Sequence, residues 1–237
     1  LIERLVPAWA VAEEAFEDAA QDVTGVLFPE EAAAVARAVP KRQREFATVR
    51  VCARAALGRL GYAPAPLLSS RRGAPRWPGG VVGSMTHCDG YRAAVVAGVA
   101  DAASLGIDAE PHGPLPDGVL RVVSLESERT HLARLAAERP EVHWDRLLFS
   151  AKESVFKTWY PLTERELDFS EAELSIDAAA GTFEARLLVP GPVVGGERLA
   201  GFTGRWLVDR GLVVTAIALP APAAEPDHGT AEEAAVR

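Results

Sequence analysis

The nine residues EPHGPLPDG (110–118) contain three prolines and two glycines, so neither a helix nor a central strand can run through them. Proline brings no amide donor and bars the residue before it from helical geometry. The chain therefore reads as two halves joined by a linker. In the first half, residues 29–39 (PEEAAAVARAV) predict a helix opening with Pro29 and two acids, which suits the positive end of the helix dipole. A second helix is expected over about 41–60, where Phe46, Val49, Ala53, Ala56, Leu57 and Leu60 recur at helical spacing and Gly61 stops the run. Its arginines fall off that stripe, with Arg50 and Arg54 one turn apart, and are expected to face solvent or a ligand. A Pro-, Gly- and Ser-rich loop fills 62–80, followed by strand-like runs at 81–87, 93–100 and 103–110.

The second half repeats that order. Ser124 is placed to cap a helix over 125–138, and a further helix is expected over 144–159 with Leu148, Ala151, Val155 and Trp159 on its buried face. Strands are predicted at 172–177, 183–189, 202–208 and 212–219, the last two joined by a turn at Asp209-Arg210-Gly211. No sequence repeat links the halves, yet each supplies helices and then strands, so the class is α+β. The tail 221–237 is rich in Ala, Pro and Glu and reads as disordered.

A chain of 237 residues can bury one large core or two smaller ones. No apolar run approaches the ~18–20 residues a membrane span requires. The start, LIERLVPAWAVAEEAF, carries acids early and lacks a basic region before an apolar block, so it does not read as a secretory signal. Cys52 and Cys88 are the only cysteines and form no metal or redox motif, which fits a cytoplasmic protein. The net charge of −8 argues against general nucleic-acid binding. It hides an asymmetry: nine basic residues and one acid, Glu45, lie between Lys41 and Arg76. Such a segment is either a solvated face or the receiver of a compact anion or acidic partner.

Three stretches carry chemistry. If LGIDAE (105–110) is a strand, Leu105, Ile107 and Ala109 alternate inward and Asp108 and Glu110 share the opposite face. Two carboxylates side by side repel, and a divalent cation resolves the conflict; Mg²⁺ prefers carboxylate oxygens and water. Strand ends also carry acids without any metal, so this signal alone is weak. In SAKESVFK (150–157), Glu153 and Lys157 lie one helical turn apart. Apolar periodicity already begins near Trp144, so Ser150 is mid-helix and Glu153 is not a capping-box residue. An exposed Glu–Lys pair contributes only ~0.3–0.5 kcal/mol. Here Phe149, Val155, Phe156, Trp159 and Tyr160 wall the pair in, and desolvated charges need partners. His87 ends VVGSMTH (81–87) behind the basic loop, where Gly83, Ser84 and Thr86 leave room for a ligand near the backbone. A lone histidine is more often structural. A basic helix, a basic loop, a histidine, three carboxylates and a lysine are nevertheless the inventory for displacement at phosphorus.

The motifs WPGGVVGSMTHCDGY, LGIDAEP and LLFSAKESVFKTWYPL, in that order, resemble a 4′-phosphopantetheinyl transferase of the surfactin-synthetase-activating type. The resemblance covers roughly residues 1–220 and is nearest to actinobacterial members serving polyketide and nonribosomal-peptide synthetases. G-I-D-x-E followed some forty residues later by F-S-x-K-E-x-x-F-K is its specific signature, and the PKRQREFATVRVCARAALGRLG helix adds to it. The resemblance implies a pseudo-dimer of two α+β halves, 1–112 and 113–220, with coenzyme A in the cleft between them. It implies transfer of the phosphopantetheine arm to a serine of acyl or peptidyl carrier proteins, with release of adenosine 3′,5′-bisphosphate. Asp108, Glu110 and Glu153 would hold Mg²⁺, with Glu153 also the candidate to take the serine proton, directly or through water. Lys157 would stabilise the departing phosphate and His87 would bind a phosphate. Arg42 and Arg50 would reach the 3′-phosphate, the loop at Arg71, Arg72 and Gly73 would wrap the adenine end, and Ser84, Met85 and Thr86 would pass under the nucleotide by backbone contacts. The family's lysine before the loop proline is replaced here by Ala74. One chain supplies both sides of the cleft, so a monomer is expected. The carrier is expected to meet the basic 41–76 segment, the Trp159–Tyr160 aromatics and the segment 113–145.

Two rivals use parts of the same inventory. A non-catalytic module for coenzyme A or a nucleotide needs the basic helix and loop but gains nothing from three carboxylates beside a phosphate. A Mg²⁺-dependent phosphohydrolase would use water as nucleophile, and no second carboxylate cluster points to a two-metal hydrolase.

Overall fold

In the computed structural model, residues 1–19, 22–70 and 73–223 are described. The expected disorder from 224 onward and the roles of Arg71 and Arg72 lie outside the described residues. A 3₁₀ turn (Ile2–Arg4) leads into strand β1 (Val11–Ala15), helices α1 (Pro29–Val35) and α2 (Pro40–Arg59), then strands β2 (Val81–Cys88), β3 (Tyr91–Gly98) and β4 (Ala102–Pro111). Pro29 and Pro40 start their helices where a missing N–H costs nothing. Beyond the linker come α3 (Val119–Val123), α4 (Glu126–Glu138), α5 (Trp144–Thr163), β5 (Ala172–Asp177) and β6 (Thr182–Leu187). A small hairpin, β7 (Val193–Val194) and β8 (Glu197–Arg198), precedes β9 (Gly201–Asp209) and β10 (Leu212–Pro220). Each half thus supplies an acid-led helix, a 20-residue helix and an antiparallel hairpin, an α+β pseudo-dimer.

The strands form a three-stranded sheet, β1-β3-β2, and a five-stranded sheet, β4-β10-β9-β6-β5. β4 pairs with β10 along its length, Asp108 opposite Thr215, so the strand that ends in Asp-x-Glu is the edge of the C-terminal sheet. The boundary expected at 112/113 falls just past that strand. β2 runs beside β4 and is joined to it by side chains: the Ile107 N–H donates to Ser84 Oγ (3.1 Å) and the Ala109 N–H to Thr86 Oγ1 (3.2 Å). Arg210 and Gly211, both at positive φ (52° and 72°), make the two-residue turn between β9 and β10, as the twist of a hairpin demands.

Three buried clusters hold these layers. α5 packs Leu147, Leu148, Val155 and Trp159 against the C-terminal sheet. α2 covers the N-terminal sheet with Ala53, Ala56 and Leu57. Between the sheets, Tyr91 and Val95 meet Leu105, Ile107 and Val214, so this core belongs to both halves.

Several local expectations are corrected. Ser124 does not cap α4; it ends α3 and its hydroxyl donates to the Leu120 carbonyl, while the Leu125 N–H is taken by Glu128 (2.7 Å). Arg50 does not face solvent: it is 3% exposed, stacks on Phe46, and donates to the carbonyls of Leu67 (3.0 Å) and Phe46 (3.3 Å). Arg54 is likewise turned inward onto Glu31. The basic 41–76 segment is not a free positive face, since Lys41 pairs with Asp89, Arg44 with Asp18 and Arg59 with Glu13. Trp159 is buried with its indole N–H on the Arg165 carbonyl (2.8 Å), so it offers no docking surface.

Candidate active site

Gly106 explains how a helix and a strand become one site. A Cβ there would lie 2.1 Å from the Ser154 carbonyl oxygen and 2.2 Å from Thr158 Oγ1. Only glycine lets α5 press this closely on β4. The contact is made by small polar residues: Ser150 and Ser154 hydroxyls meet Thr215 Oγ1 (3.0 and 2.7 Å), and Ser104 Oγ donates to the Thr158 carbonyl (2.8 Å). With apolar residues buried on its other side, α5 keeps one partly open stripe: Phe149, Glu153, Phe156, Lys157 and Tyr160.

That stripe faces the end of β4. Lys157 Nζ donates to Asp108 Oδ1 (2.8 Å) and to the Ile107 carbonyl (3.0 Å), and Thr86 Oγ1 donates to the same Asp108 oxygen (3.2 Å). Asp108 is 5% exposed, and its other oxygen, Oδ2, is buried without a hydrogen-bond partner. Glu153 titrates above the usual carboxylate range because burial and then the Asp108 charge disfavour its ionised form, against the pull of Lys157. No hydrogen bond from a described residue relieves it. Glu110 is raised by burial and by Asp108 as well, but it has a partner. Arg146 Nη1 holds Glu110 Oε2 at 2.9 Å while its other nitrogens bind the Gly113 (3.2 Å) and Pro114 (2.7 Å) carbonyls.

Among the described residues, no three His, Cys, Asp or Glu side chains are gathered tightly enough to hold a metal as they stand. The donors nevertheless fit a hard cation. They are carboxylate oxygens, one is orphaned and buried, and Asp108 destabilises the charge on both neighbours, a conflict a divalent cation removes. Asp108 and Glu153 fit best, Glu110 being already engaged.

Beside the carboxylates lies a cationic recess. His87 is partly buried at the end of β2, with its pKa pulled down to about 4 by burial and by Arg42, Lys157, Arg92 and Arg50. It is therefore neutral at pH 7, held so by burial first and then by the field of those four cations. Arg92, its cross-strand partner, pairs with Asp18 (2.8 Å) and leaves Nε buried and unpartnered; Glu45 lies 3.9 Å from His87 and 3.8 Å from Arg92. Arg42 is exposed on the first turn of α2. Ser84 and Thr86 turn their side chains away from the recess into the β2–β4 seam, whereas Met85 packs toward α2. Gly73 is exposed at φ 86° in the loop before β2.

On the other side of Glu153 a cavity of about 220 Å³ opens between α5 and the 166–172 segment, with Val155, Phe156, Leu167 and Phe169 among its walls. Lys152, next to Glu153 in sequence, reaches into the wall of the same cavity. Its Nζ is buried on Glu128 (3.0 Å) and the Phe169 (2.6 Å) and Ala172 (3.0 Å) carbonyls. Sequence reasoning missed Arg146, Arg92 and Lys152. Two had a legible signal: Arg146 stands seven residues before Glu153, on the same helical stripe, and the Asp89-Gly90 turn sets His87 opposite Arg92.

Residues 30–97 match the family described as the 4′-phosphopantetheinyl transferase N-terminal domain, and residues 104–192 the 4′-phosphopantetheinyl transferase superfamily. The second match begins at β4, the strand that pairs with the C-terminal sheet. The 4′-phosphopantetheinyl transferase Svp of Streptomyces mobaraensis is 73% identical over 235 residues, spanning 99% of this chain and 94% of that protein. The 4′-phosphopantetheinyl transferases PptT of Mycobacterium tuberculosis and Npt of Nocardia iowensis are 46% and 47% identical, each over 92% of this chain and at least 98% of their own lengths. Likeness of this extent sets aside the non-catalytic module and the hydrolase. The close seat of α5 on β4 brings Lys157 onto Asp108 within the stretch matched by the second family model, and with both family matches and these relatives the chain belongs to the 4′-phosphopantetheinyl transferase superfamily and is a transferase.

Proposed function

We propose that the protein moves the 4′-phosphopantetheine arm of coenzyme A onto a serine of acyl and peptidyl carrier proteins of polyketide, nonribosomal-peptide or fatty acid synthases, releasing adenosine 3′,5′-bisphosphate. The observation that carries this reading is the abutment of two opposed fields. The charges of Arg42, Lys157, Arg92 and Arg50 are felt at His87, while the Asp108 charge disfavours that of Glu153. A pyrophosphate with a divalent cation satisfies both. Arg42 and His87 receive phosphate, with Arg50 backing them from its buried place on the Leu67 and Phe46 carbonyls, the loop at Arg71, Arg72 and Gly73 on the adenine side, and the backbone of Ser84, Met85 and Thr86 beneath the nucleotide. The apolar cavity beside Glu153 suits the pantetheine arm.

Mg²⁺ held by Asp108 and Glu153, with Glu110 completing the set, would neutralise the pyrophosphate charge. Glu153 takes the proton of the carrier serine, directly or through water; ligation to a metal would lower its basicity, so its position beside the serine carries the step. The serine oxygen bonds to the phosphorus that bears the pantetheine arm. The bond from that phosphorus to the bridging oxygen breaks, and the electron pair leaves with adenosine 3′,5′-bisphosphate. Lys157, already on the Asp108 carboxylate, supplies the positive charge beside the leaving phosphate. A cytoplasmic monomer suits this chemistry, both walls of the cleft coming from one chain; no helix among the described residues is long and apolar enough to cross a membrane.

The test is intact-mass analysis of apo carrier proteins incubated with coenzyme A, Mg²⁺ and either wild type or Glu153→Gln. A gain of one phosphopantetheine arm with wild type alone is expected. No gain on several unrelated carriers would overturn the reading.

A further inference from the structure

Each half of the molecule buries one glutamate at the third residue of a helix, and the two make matching contacts. Glu31 on α1 is fully buried. It accepts from the Phe28 N–H (3.0 Å), the Leu67 N–H (2.8 Å) and Arg54 Nη1 through both oxygens (3.0 Å each), with Arg50 Nε at 3.7 Å. Glu128 on α4, also buried, accepts from the Leu125 N–H (2.7 Å), the Leu174 N–H (2.7 Å) and Lys152 Nζ (3.0 Å). Each carboxylate therefore ties the start of its own helix to a cation on the long helix that follows. It also ties both to a backbone N–H in the segment after that helix.

The first of these segments leads into β2 and the second borders the cavity beside Glu153. The Leu67 N–H goes to Glu31 and the Leu67 carbonyl to Arg50 Nε (3.0 Å), so one residue is gripped on both polar groups. Beyond it the Ser70 N–H donates to the Ala74 carbonyl (2.7 Å) and the Arg76 N–H to the Leu68 carbonyl (2.8 Å), ahead of β2, which carries His87. In the other half, the Lys152 that Glu128 holds also grips the Phe169 and Ala172 carbonyls, the wall of the cavity beside Glu153.

A buried ion pair is a poor device for stability alone, since apolar replacement of similar shape is often neutral or better. A buried carboxylate with its donors all in place does fix geometry. We propose that Glu31 and Glu128 are paired positioning residues. Glu31 sets the nucleotide side of the cleft through Arg50 and the Leu67 backbone; Glu128 sets the pantetheine side through Lys152. The proposal rests on the coenzyme A reading above.

The two pieces of coenzyme A separate these roles. Titration calorimetry on the full chain, with adenosine 3′,5′-bisphosphate and with 4′-phosphopantetheine, is expected to give a crossed pattern. Glu31→Gln should weaken the bisphosphate about tenfold and leave phosphopantetheine within about twofold, and Glu128→Gln should do the reverse. A variant that merely loosened the fold would weaken both ligands alike; that result, or no change in either, overturns the proposal. Wild type that binds neither piece overturns the coenzyme A reading itself, a different outcome from wild type that binds both beside uncrossed variants. Should a glutamine variant fail to fold, Glu31→Asp and Glu128→Asp keep the buried charge while shortening its reach to the Leu67 and Leu174 N–H groups, and the same crossed pattern is required of them.

Discussion

His87 is held neutral by the very charges that suit it to an anion. Its pKa of about 4 in the free protein arises from burial and from Arg42, Lys157, Arg92 and Arg50. A phosphate placed among those cations cancels their field and stabilises imidazolium, so the pKa rises on binding. The sign follows: between the free pKa near 4 and the higher bound value, binding takes up a proton. At pH 6, calorimetry of adenosine 3′,5′-bisphosphate in two buffers of different ionisation enthalpy should show wild type taking up a fraction of a proton more than His87→Gln, the ligand's own phosphates (second pKa ~6) titrating with both, and the difference should fade above pH 8. Equal uptake in the variant would place the titrating group elsewhere. The three carboxylates should also separate. Asp108 and Glu153 lack any acidic substitute, whereas Glu110 is spent on Arg146. Transfer rates should fall by about 10³ or more for Asp108→Asn and Glu153→Gln, on the scale of losing a main electrostatic group, and by only about 10–100-fold for Glu110→Gln. Equal losses would mean that Glu110 leaves Arg146 in the working enzyme.

At the scale of elements, the site depends on how closely α5 lies on β4. A methyl at position 106 would meet the Ser154 carbonyl at 2.1 Å, backbone that cannot rotate away. Gly106→Ala should cost about 1–3 kcal/mol in chemical denaturation, as overpacking does, and lower kcat far more than that loss explains, because Glu153 and Lys157 ride on the displaced helix. A variant with full kcat would show that the seat of α5 is not critical. This glycine also marks how far the sequence could be read. The long helices and the strands from β2 to β4 were legible because their apolar spacing is strong, and the common face of Asp108 and Glu110 followed from strand alternation. β1, α3 and the β7–β8 hairpin were not. β1 carries two acids in five residues and forms only because β3 offers it an edge. The burial of Arg50 and Arg54 was equally hidden, since nothing near them in sequence announces that Glu31 will lie opposite. Charge partners come from tertiary structure, and so Lys41, Arg44, Arg54 and Arg59 of the basic segment are paired with acids far along the chain.

For the whole molecule, the decisive fact is where the shared core lies. Two halves that each owned a sheet and a core would unfold separately, as linked domains do. Here β4, next in sequence to the N-terminal sheet, completes the C-terminal one. Tyr91, Val95, Leu105, Ile107 and Val214 then pack in one cluster between the sheets. Neither half can open without exposing that cluster. Urea unfolding followed by far-UV circular dichroism and by tryptophan fluorescence should therefore give one coincident transition, with Trp9 and Trp77 in one half and Trp144, Trp159 and Trp206 in the other reporting together. Leu105→Ala, at a buried position in the shared core, should lower stability by about 2–5 kcal/mol and shift both probes equally. Two separated transitions, or a shift confined to one probe, would mean that the halves are independent and that the cleft is framed by parts free to move. A single transition means that the two halves form one cooperative unit, held by the cluster between the sheets.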